Sequence, residues 1–153
     1  MLIYKTGDLL EAEEPIILHG CNQKGVMGSG IAKAVRAKYP EAYDDYMAMH
    51  DGRGLKLGNV YWTWLDYPTG LRIVGNAITQ ADYGRDGRQY VDYDAIKTAF
   101  LWTKDFITHN DSLPERPIAI PRIGAGLGGG DWDTIAEIIE TTMGDIPVVV
   151  YSL

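Results

Sequence analysis

Two glycine-rich segments are the part of this chain best suited to hold an anionic ligand: residues 20–30 (the first glycine loop) and 124–130 (the second glycine loop). Glycine has no side chain, so its backbone N–H groups can approach an anion closely. Each segment follows an apolar run and precedes a helical pattern, and a helix N-terminus adds unpaired N–H groups. Two tight strand–helix turns are the alternative, but a pair of such loops in one domain favours a diphosphate ligand.

The glycine spacing excludes two well-known nucleotide motifs. Neither loop continues into Gly-Lys-Ser or Gly-Lys-Thr, so neither is a Walker motif. Neither loop has the G-x-G-x-x-G spacing of a dinucleotide-binding fingerprint. The glycines therefore indicate a phosphate group without identifying the molecule that carries it.

The net charge of the chain bears on whether its partner is a polymeric nucleic acid. The 153 residues carry a formal net charge of −7, whereas binding to polymeric nucleic acid needs a basic face. We therefore expect no polymeric nucleic acid partner, and we expect main-chain amides rather than a basic surface to hold the anion.

Length and composition predict one domain over residues 1–153, with no metal and no other cofactor. The single cysteine excludes an intrachain disulfide, and the three histidines are too widely spaced to act together as metal ligands. No signal peptide opens the sequence, and no apolar run approaches membrane-spanning length. These features predict a cytoplasmic protein with no membrane partner.

Apolar runs alternate with helical periods, which favours α/β layers. Strands are predicted at residues 2–5, 15–19, 60–65, 71–78, 117–121 and 148–151. Helices are predicted over 31–38, from Pro40 onward, over 96–107 with Asp92 or Asp94 near the start, and directly after the second glycine loop. The polar segment 82–89 follows a strand, which predicts a mobile loop beside the ligand crevice.

Several segments together resemble one family. They are Gly7-Asp8-Leu9, Ile17-Leu18-His19-Gly20-Cys21-Asn22, Met27-Gly28-Ser29-Gly30-Ile31-Ala32 and Pro121-Arg122-Ile123-Gly124-Ala125-Gly126-Leu127. As a set they resemble the macrodomain family, which binds ADP-ribose, and within it the branch of ADP-ribose-1″-phosphate phosphatases and glutamate-linked ADP-ribose hydrolases. The resemblance covers nearly the whole chain. It implies a macrodomain-like three-layer α/β/α sandwich with a central mixed sheet, and ADP-ribose or an ADP-ribosylated substrate as the partner.

The resemblance also implies roles for individual residues. Asp8 would accept a hydrogen bond from the adenine amino group, with a turn or helix cap as the alternative. Asn22 would meet the distal ribose, with an Asx turn as the alternative. Tyr151 would stack on adenine, with a core or rim tyrosine as the alternative. The other predicted ligand-binding residues are Leu9, Cys21 (alternatively a small buried residue), Gly28, Ser29, Gly30, Ile31, Ile123, Gly124, Ala125, Gly126, Leu127, Gly128 and Gly129.

Two residues are catalytic candidates. Asp131 ends the second glycine loop, where a carboxylate could orient or deprotonate water beside the diphosphate; a helix N-cap is the alternative. His19 ends an apolar run, near the point where some relatives place a functional histidine; a buried core histidine is the alternative. The predicted reaction is hydrolysis at the 1″ position of ADP-ribose-1″-phosphate or an ADP-ribosyl ester. The alternatives are a non-catalytic ADP-ribose-binding module and an unrelated mononucleotide enzyme.

The chain departs from the glutamate-linked ADP-ribose hydrolases at two positions. Those enzymes carry a nucleophilic lysine near the position of Gln80 here, and their catalytic aspartate corresponds to about Gly128. An amide cannot form a Schiff base with an opened sugar. The sequence therefore favours direct attack by water over a covalent lysine route.

Overall fold

The computed structural model describes residues 2–67, 70–110, 113 and 117–153. The strands are β1 (Leu2–Thr6), β2 (Ile16–Asn22), β3 (Val60–Tyr67), β4 (Gly70–Gln80), β5 (Ile118–Ile120) and β6 (Val148–Ser152). The helices are α1 (Gly30–Lys38), α2 (Pro40–Asp51), α3 (Tyr93–Thr108) and α4 (Trp132–Met143), and a short 3-10 helix spans Leu9–Glu11. Every predicted strand and helix is present, with small shifts at the ends.

The strands form one mixed sheet in the order β1-β6-β5-β2-β4-β3. Neighbours pair in parallel except β3, which runs antiparallel to β4 at one edge. The central strands are buried on both faces, as parallel strands in an α/β protein are: Ile16, Ile17 and Leu18 are fully buried. The carboxyl ends of the five parallel strands therefore lie along the same edge of the sheet.

Helices cover both faces of the sheet. On one face, Val35 of α1 and Ala42 of α2 pack with Ile17 and Val74 of the sheet. On the other face, the cluster includes Phe100 and Ile107 of α3 and Ile135 and Ile139 of α4, packed with the alternate side chains of the strands. The result is the predicted three-layer α/β/α sandwich with a central mixed sheet.

The first glycine loop begins later than the sequence predicts. Gly20, Cys21 and Asn22 continue β2, because they pair with Ala77, Ile78 and Gln80 of β4. This extension depends on β4 alone, because β5 pairs only with Ile16 and Ile17 of β2.

Candidate functional site

A cleft opens at the carboxyl end of the sheet, between β2 and β5. The loop after β2 leads to α1 on one face, and the loop after the neighbouring β5 leads to α4 on the other face. The two loops thus diverge at a topological switch point, which is where open α/β sheets bind ligands. The cleft has a volume of about 650 Å³ and is lined by both glycine loops and by residues at the end of β4.

The second glycine loop presents unpaired backbone N–H groups to this cleft. Its shape is held by three hydrogen bonds, from Ala125 N to Arg122 O (3.1 Å), from Gly129 N to Gly126 O (3.0 Å) and from Gly130 N to Gly124 O (2.9 Å). Within the described ranges, the N–H groups of residues 124 and 126–128 donate to no protein acceptor. Gly124 has a φ of +79°, which a residue with a side chain would rarely adopt. The loop is therefore preformed to receive hydrogen-bond acceptors.

The first glycine loop adds the N-terminus of α1. Ser29 is the N-cap residue but its side chain makes no capping hydrogen bond. The N–H of Lys33 donates to Ser29 O at 3.3 Å, so the N–H groups of residues 30–32 precede the first intrahelical bond. Gly28, Ser29, Gly30, Ile31 and Ala32 all line the cleft. An anion placed here would meet N–H groups from two sides.

Asn22 organises the first glycine loop from within. Its Oδ1 accepts from Lys24 N (2.9 Å), Val26 N (3.4 Å) and the Tyr46 hydroxyl (3.0 Å), while its Nδ2 donates to Val26 O (2.9 Å). The predicted Asx-type turn is therefore present, although Asn22 also lines the cleft. Its contact with a ribose stays a prediction.

Two arginines line the cleft, which corrects the expectation that amides alone would hold an anion. Arg122 lies two residues before the second glycine loop, and Arg85 lies in the polar segment after β4. Both side chains are exposed, and neither forms an ion pair with a described residue. An acidic protein thus carries a local positive charge at this cleft.

Most predicted ligand-binding residues come together here. Those that line the cleft are Cys21, Asn22, Gly28, Ser29, Gly30, Ile31, Ile123, Gly124, Gly126, Leu127 and Gly128. Burial raises the pKa of the Cys21 thiol, so this side chain stays protonated. The predicted loop over 82–89 also lies beside the crevice, since Tyr83 and Gly84 contribute to the lining.

Three predicted ligand-binding residues are turned away from the cleft. Leu9 is buried in the core, Ala125 packs against the core, and Gly129 lies against the backbone of Arg88. Leu9 lies in the 3-10 helix after β1, outside both glycine loops, whereas Ala125 and Gly129 are the residues of the second glycine loop that face the core and Arg88.

Asp8 and Tyr151 lie on the same edge of the sheet but outside the cleft lining. Asp8 follows β1, and Tyr151 lies near the end of β6. These two strands pair with each other, and Thr6 is opposite Ser152. Asp8 Oδ1 accepts from Leu10 N at 2.9 Å and caps the 3-10 helix. The Tyr151 hydroxyl donates to Glu14 Oε1 at 2.6 Å, and burial with this bond raises the pKa of Tyr151 to about 12. Their contact with adenine stays a prediction.

The structure places Asp131 as a helix cap rather than in the cleft. Its Oδ2 accepts from the Thr134 hydroxyl at 2.7 Å and from Thr134 N at 3.0 Å, at the start of α4. These hydrogen bonds lower the pKa of the carboxyl, which makes it a weaker base. Asp131 is not among the residues that line the cleft. The geometry therefore favours the N-cap alternative over the catalytic one.

His19 is a core histidine. It is fully buried, and its Nε2 lies 2.6 Å from Asn76 Oδ1. Burial lowers the pKa of His19 to about 4, so the ring is neutral at physiological pH. His19 does not line the cleft, which corrects its assignment as a catalytic candidate.

Sequence reasoning did not assign several cleft residues to the site, among them Thr79, Arg85 and Arg122. The threonine near the end of β4 and the arginine two residues after β5 were available signals. Gln80 lines the cleft as well, and its Nε2 donates to Asp82 O at 2.6 Å. In the described part of the chain, the cleft lining contains no aspartate, glutamate, lysine or histidine.

A family comparison agrees with this architecture. The model of the macro domain matches residues 18–139. The chain belongs to the macrodomain family.

No helix in the described ranges is long and apolar enough to cross a membrane, and the same residues hold no cluster of three or more potential metal ligands.

Three curated relatives of this macrodomain differ in what is known of them. An uncharacterised 17.5 kDa protein of Enterobacteria phage T4 is 31% identical over 96% of this chain and 93% of its own length. The ADP-ribose 1″-phosphate phosphatase of Saccharomyces cerevisiae is 25% identical over 99% of this chain and 98% of its own length. The DNA ADP-ribosyl glycohydrolase of Mycobacterium tuberculosis is 26% identical over 97% of this chain, which spans only 40% of that protein.

Solved structures support the same fold. The macrodomain of Mycobacterium tuberculosis DarG has a TM-score of 0.83 at 24% identity, covering 100% of this chain and 98% of that one. Thermosipho africanus DarTG, solved in complex with ADP-ribose, has a TM-score of 0.80 at 19% identity. The match covers 97% of this chain and 41% of that one. At these identities the likeness establishes the macrodomain fold.

Proposed function

We propose that this macrodomain binds ADP-ribose across the carboxyl end of its sheet and hydrolyses a derivative of it at the 1″ position. The observation that carries the proposal is the set of unpaired N–H groups that both glycine loops present to one cleft. Such groups bind the oxygens of a diphosphate, and Arg85 and Arg122 add charge-assisted hydrogen bonds. The choice of ligand is supported by a relative named DNA ADP-ribosyl glycohydrolase, by one named ADP-ribose 1″-phosphate phosphatase and by a structural neighbour solved in complex with ADP-ribose.

The order of the strands gives the ligand a direction. Adenine would lie near Asp8 and Tyr151 at β1 and β6, and the diphosphate between the loops after β5 and β2. The distal ribose would then reach the ends of β2 and β4, where Asn22 and Gln80 lie. Three strand spacings of about 4.8 Å separate β6 from β4, so the two ends of the ligand would be roughly 14 Å apart.

In the proposed reaction, water cleaves the 1″ linkage and releases ADP-ribose with phosphate or a carboxylate. The loop N–H groups and the two arginines would stabilise the negative charge that develops as this group leaves. Gln80 offers an amide where a covalent route would need an amine, so the reaction would proceed without a protein adduct.

One observation favours a second function, a module that binds ADP-ribose without turnover. The described cleft-lining residues include no carboxylate, lysine or histidine that could serve as a general base. A hydrolase built on this cleft must therefore depend on positioning and charge stabilisation, whereas a binding module needs only the loops.

Gly126→Ala tests the binding site. The glycine has no positive φ, and a Cβ added to it meets nothing within 4 Å, so the free protein tolerates a methyl group facing the cleft. Because alanine restricts the unfolded chain, we expect an unchanged or slightly higher unfolding temperature. With the diphosphate on this loop, calorimetric titration should show at least tenfold weaker binding of ADP-ribose. Unchanged ADP-ribose affinity would remove the ligand from the second glycine loop.

Turnover by the wild-type protein separates the two functions. Purified protein is incubated with ADP-ribose-1″-phosphate and with a glutamate-linked ADP-ribosylated protein, and the released ADP-ribose is measured. Gly126→Ala serves as the control for contaminating activity. Consumption of either substrate by the wild type supports the hydrolase, and tight ADP-ribose binding without turnover supports the binding module. A protein that is stabilised by AMP or ATP but not by ADP-ribose would contradict both.

A further inference from the structure

A β-bulge interrupts the pairing of β2 with β4 at the floor of the cleft. Cys21 is paired with Ile78, but the next residue, Asn22, is paired with Gln80. Thr79 is therefore the extra residue of β4. A bulge re-aims the side chain at its position, and bulges are frequent beside active sites.

The threonine at the bulge has a hydroxyl group without a protein partner. Thr79 is 1% exposed and lines the cleft. In the described ranges its Oγ1 takes part in no hydrogen bond, although the Thr79 backbone oxygen accepts from Asp92 N at 2.8 Å. No described side-chain oxygen is both fully buried and unpaired, so the small exposed surface of Thr79 includes this oxygen, which is available for a group that enters the cleft.

Gly20 keeps that hydroxyl uncovered. A Cβ built on Gly20 would lie 2.8 Å from Thr79 Oγ1 and 3.2 Å from Ile123 Cγ1. Gly20 does not have a positive φ, so backbone conformation does not require glycine there. The missing side chain instead opens a small space between the hydroxyl and the side chain of Ile123.

We propose that Thr79 is a specificity-determining residue whose hydroxyl hydrogen-bonds a hydroxyl of the distal ribose. The inference rests on the proposed function, because the direction of the ligand places that ribose at the ends of β2 and β4. Threonine can both donate and accept, which suits a sugar hydroxyl. The contact would distinguish ADP-ribose from ADP, which ends at the diphosphate.

Thr79→Val and Thr79→Ser form the matched pair of variants. Valine keeps the shape and removes the hydroxyl, and serine keeps the hydroxyl and removes a methyl group. Because Oγ1 has no protein partner to lose, Thr79→Val should fold with an unfolding temperature close to that of the wild type. Affinities for ADP-ribose and for ADP are measured by calorimetry, with displacement of ADP-ribose for weak ADP binding.

We expect Thr79→Val to bind ADP-ribose about tenfold more weakly while its ADP affinity stays within twofold of the wild type. Thr79→Ser should keep ADP-ribose affinity within threefold. Equal losses for ADP-ribose and ADP, equal losses in the two variants, or no loss in Thr79→Val would each overturn the role of Thr79 while leaving the proposed function intact. A wild-type protein that binds neither ligand would overturn the proposed function and this role with it.

Discussion

Arg122 presents its charge from a defined position at the margin of the cleft. Its guanidinium carbon is 5.7 Å from the ring centroids of both Tyr4 and Trp132. The indole N–H of Trp132 donates to the Tyr4 hydroxyl at 3.0 Å, which joins the two rings into one surface. Rings that support a guanidinium restrict its motion, so less conformational entropy is lost when it meets an anion.

Arg122→Gln should therefore weaken ADP-ribose binding about fivefold, which corresponds to about 1 kcal/mol for an exposed charge-assisted contact. The difference from the wild type should shrink at high salt, since ions screen exposed charges. The matched control is Arg53→Gln, because Arg53 is exposed and lies on a different surface depression. Equal calorimetric affinities for Arg122→Gln and the wild type at low salt would exclude a contact between Arg122 and the ligand.

At the level of elements, α3 and α4 begin in the same way. Asp92 accepts from Ala95 N at 3.1 Å, and Asp131 accepts from Thr134 N at 3.0 Å. Each carboxylate therefore satisfies an N–H group that the first turn of its helix leaves unpaired. The helix dipole also favours a negative charge at both positions.

Asp131→Ala should lower the free energy of unfolding by about 1 kcal/mol and the unfolding temperature by a few degrees. Asp92→Ala is the comparison and should show a loss of similar size. Since the Asp131 carboxylate faces Thr134 outside the cleft, ADP-ribose affinity should stay within twofold of the wild type. A large loss of turnover in Asp131→Ala with unchanged stability would instead restore a catalytic role.

Local patterns were sufficient to predict the elements of this fold. Alternating apolar runs located the strands, and Pro40 marked the start of α2. The family resemblance predicted the layers and the cleft between the glycine loops. Spacing could not separate a helix cap from a general base at Asp131, because both need a carboxylate at that point in the sequence. The neutrality of His19 depends on its complete burial, which residue spacing does not reveal, whereas its hydrogen bond to Asn76, 57 residues away, acts in the opposite direction and raises the pKa.

The charge of the cleft was missed for a related reason. Arg85 lines the cleft because the segment after β4 is fastened to the second glycine loop, with Tyr90 N and Val91 N both donating to Gly128 O. This contact joins distant parts of the chain, and no short motif encodes it. Net charge is a property of the whole surface, so a value of −7 did not reveal two arginines in one place.

For the molecule as a whole, His19 couples folding to pH. Its pKa is about 4 in the folded protein and 6.5 when unperturbed, so the unfolded chain binds a proton more readily. The contribution of neutral His19 to folding stability is therefore complete above pH 6.5 and is lost as the pH falls from there toward 4. Between pH 8 and pH 5, His19 should account for about 2 kcal/mol of lost unfolding free energy.

Urea denaturation at both pH values measures this slope. His19→Gln is the control, because glutamine cannot be protonated and should remove most of the difference whatever its own stability. His50 and His109 remain in both proteins and do not affect the comparison. Equal pH dependence in the wild type and His19→Gln would show that other groups dominate acid sensitivity.

The two glycine loops are about a hundred residues apart in the sequence, and the pairing of β2 with β5 brings them together. Chains in which those strands are still separate have no complete anion site, so a ligand held by both loops would recognise the finished sheet alone. Bound nucleotide sugar would then oppose global unfolding of the chain rather than local opening of one loop. Proteases would therefore cleave the protein less readily wherever that nucleotide sugar is abundant.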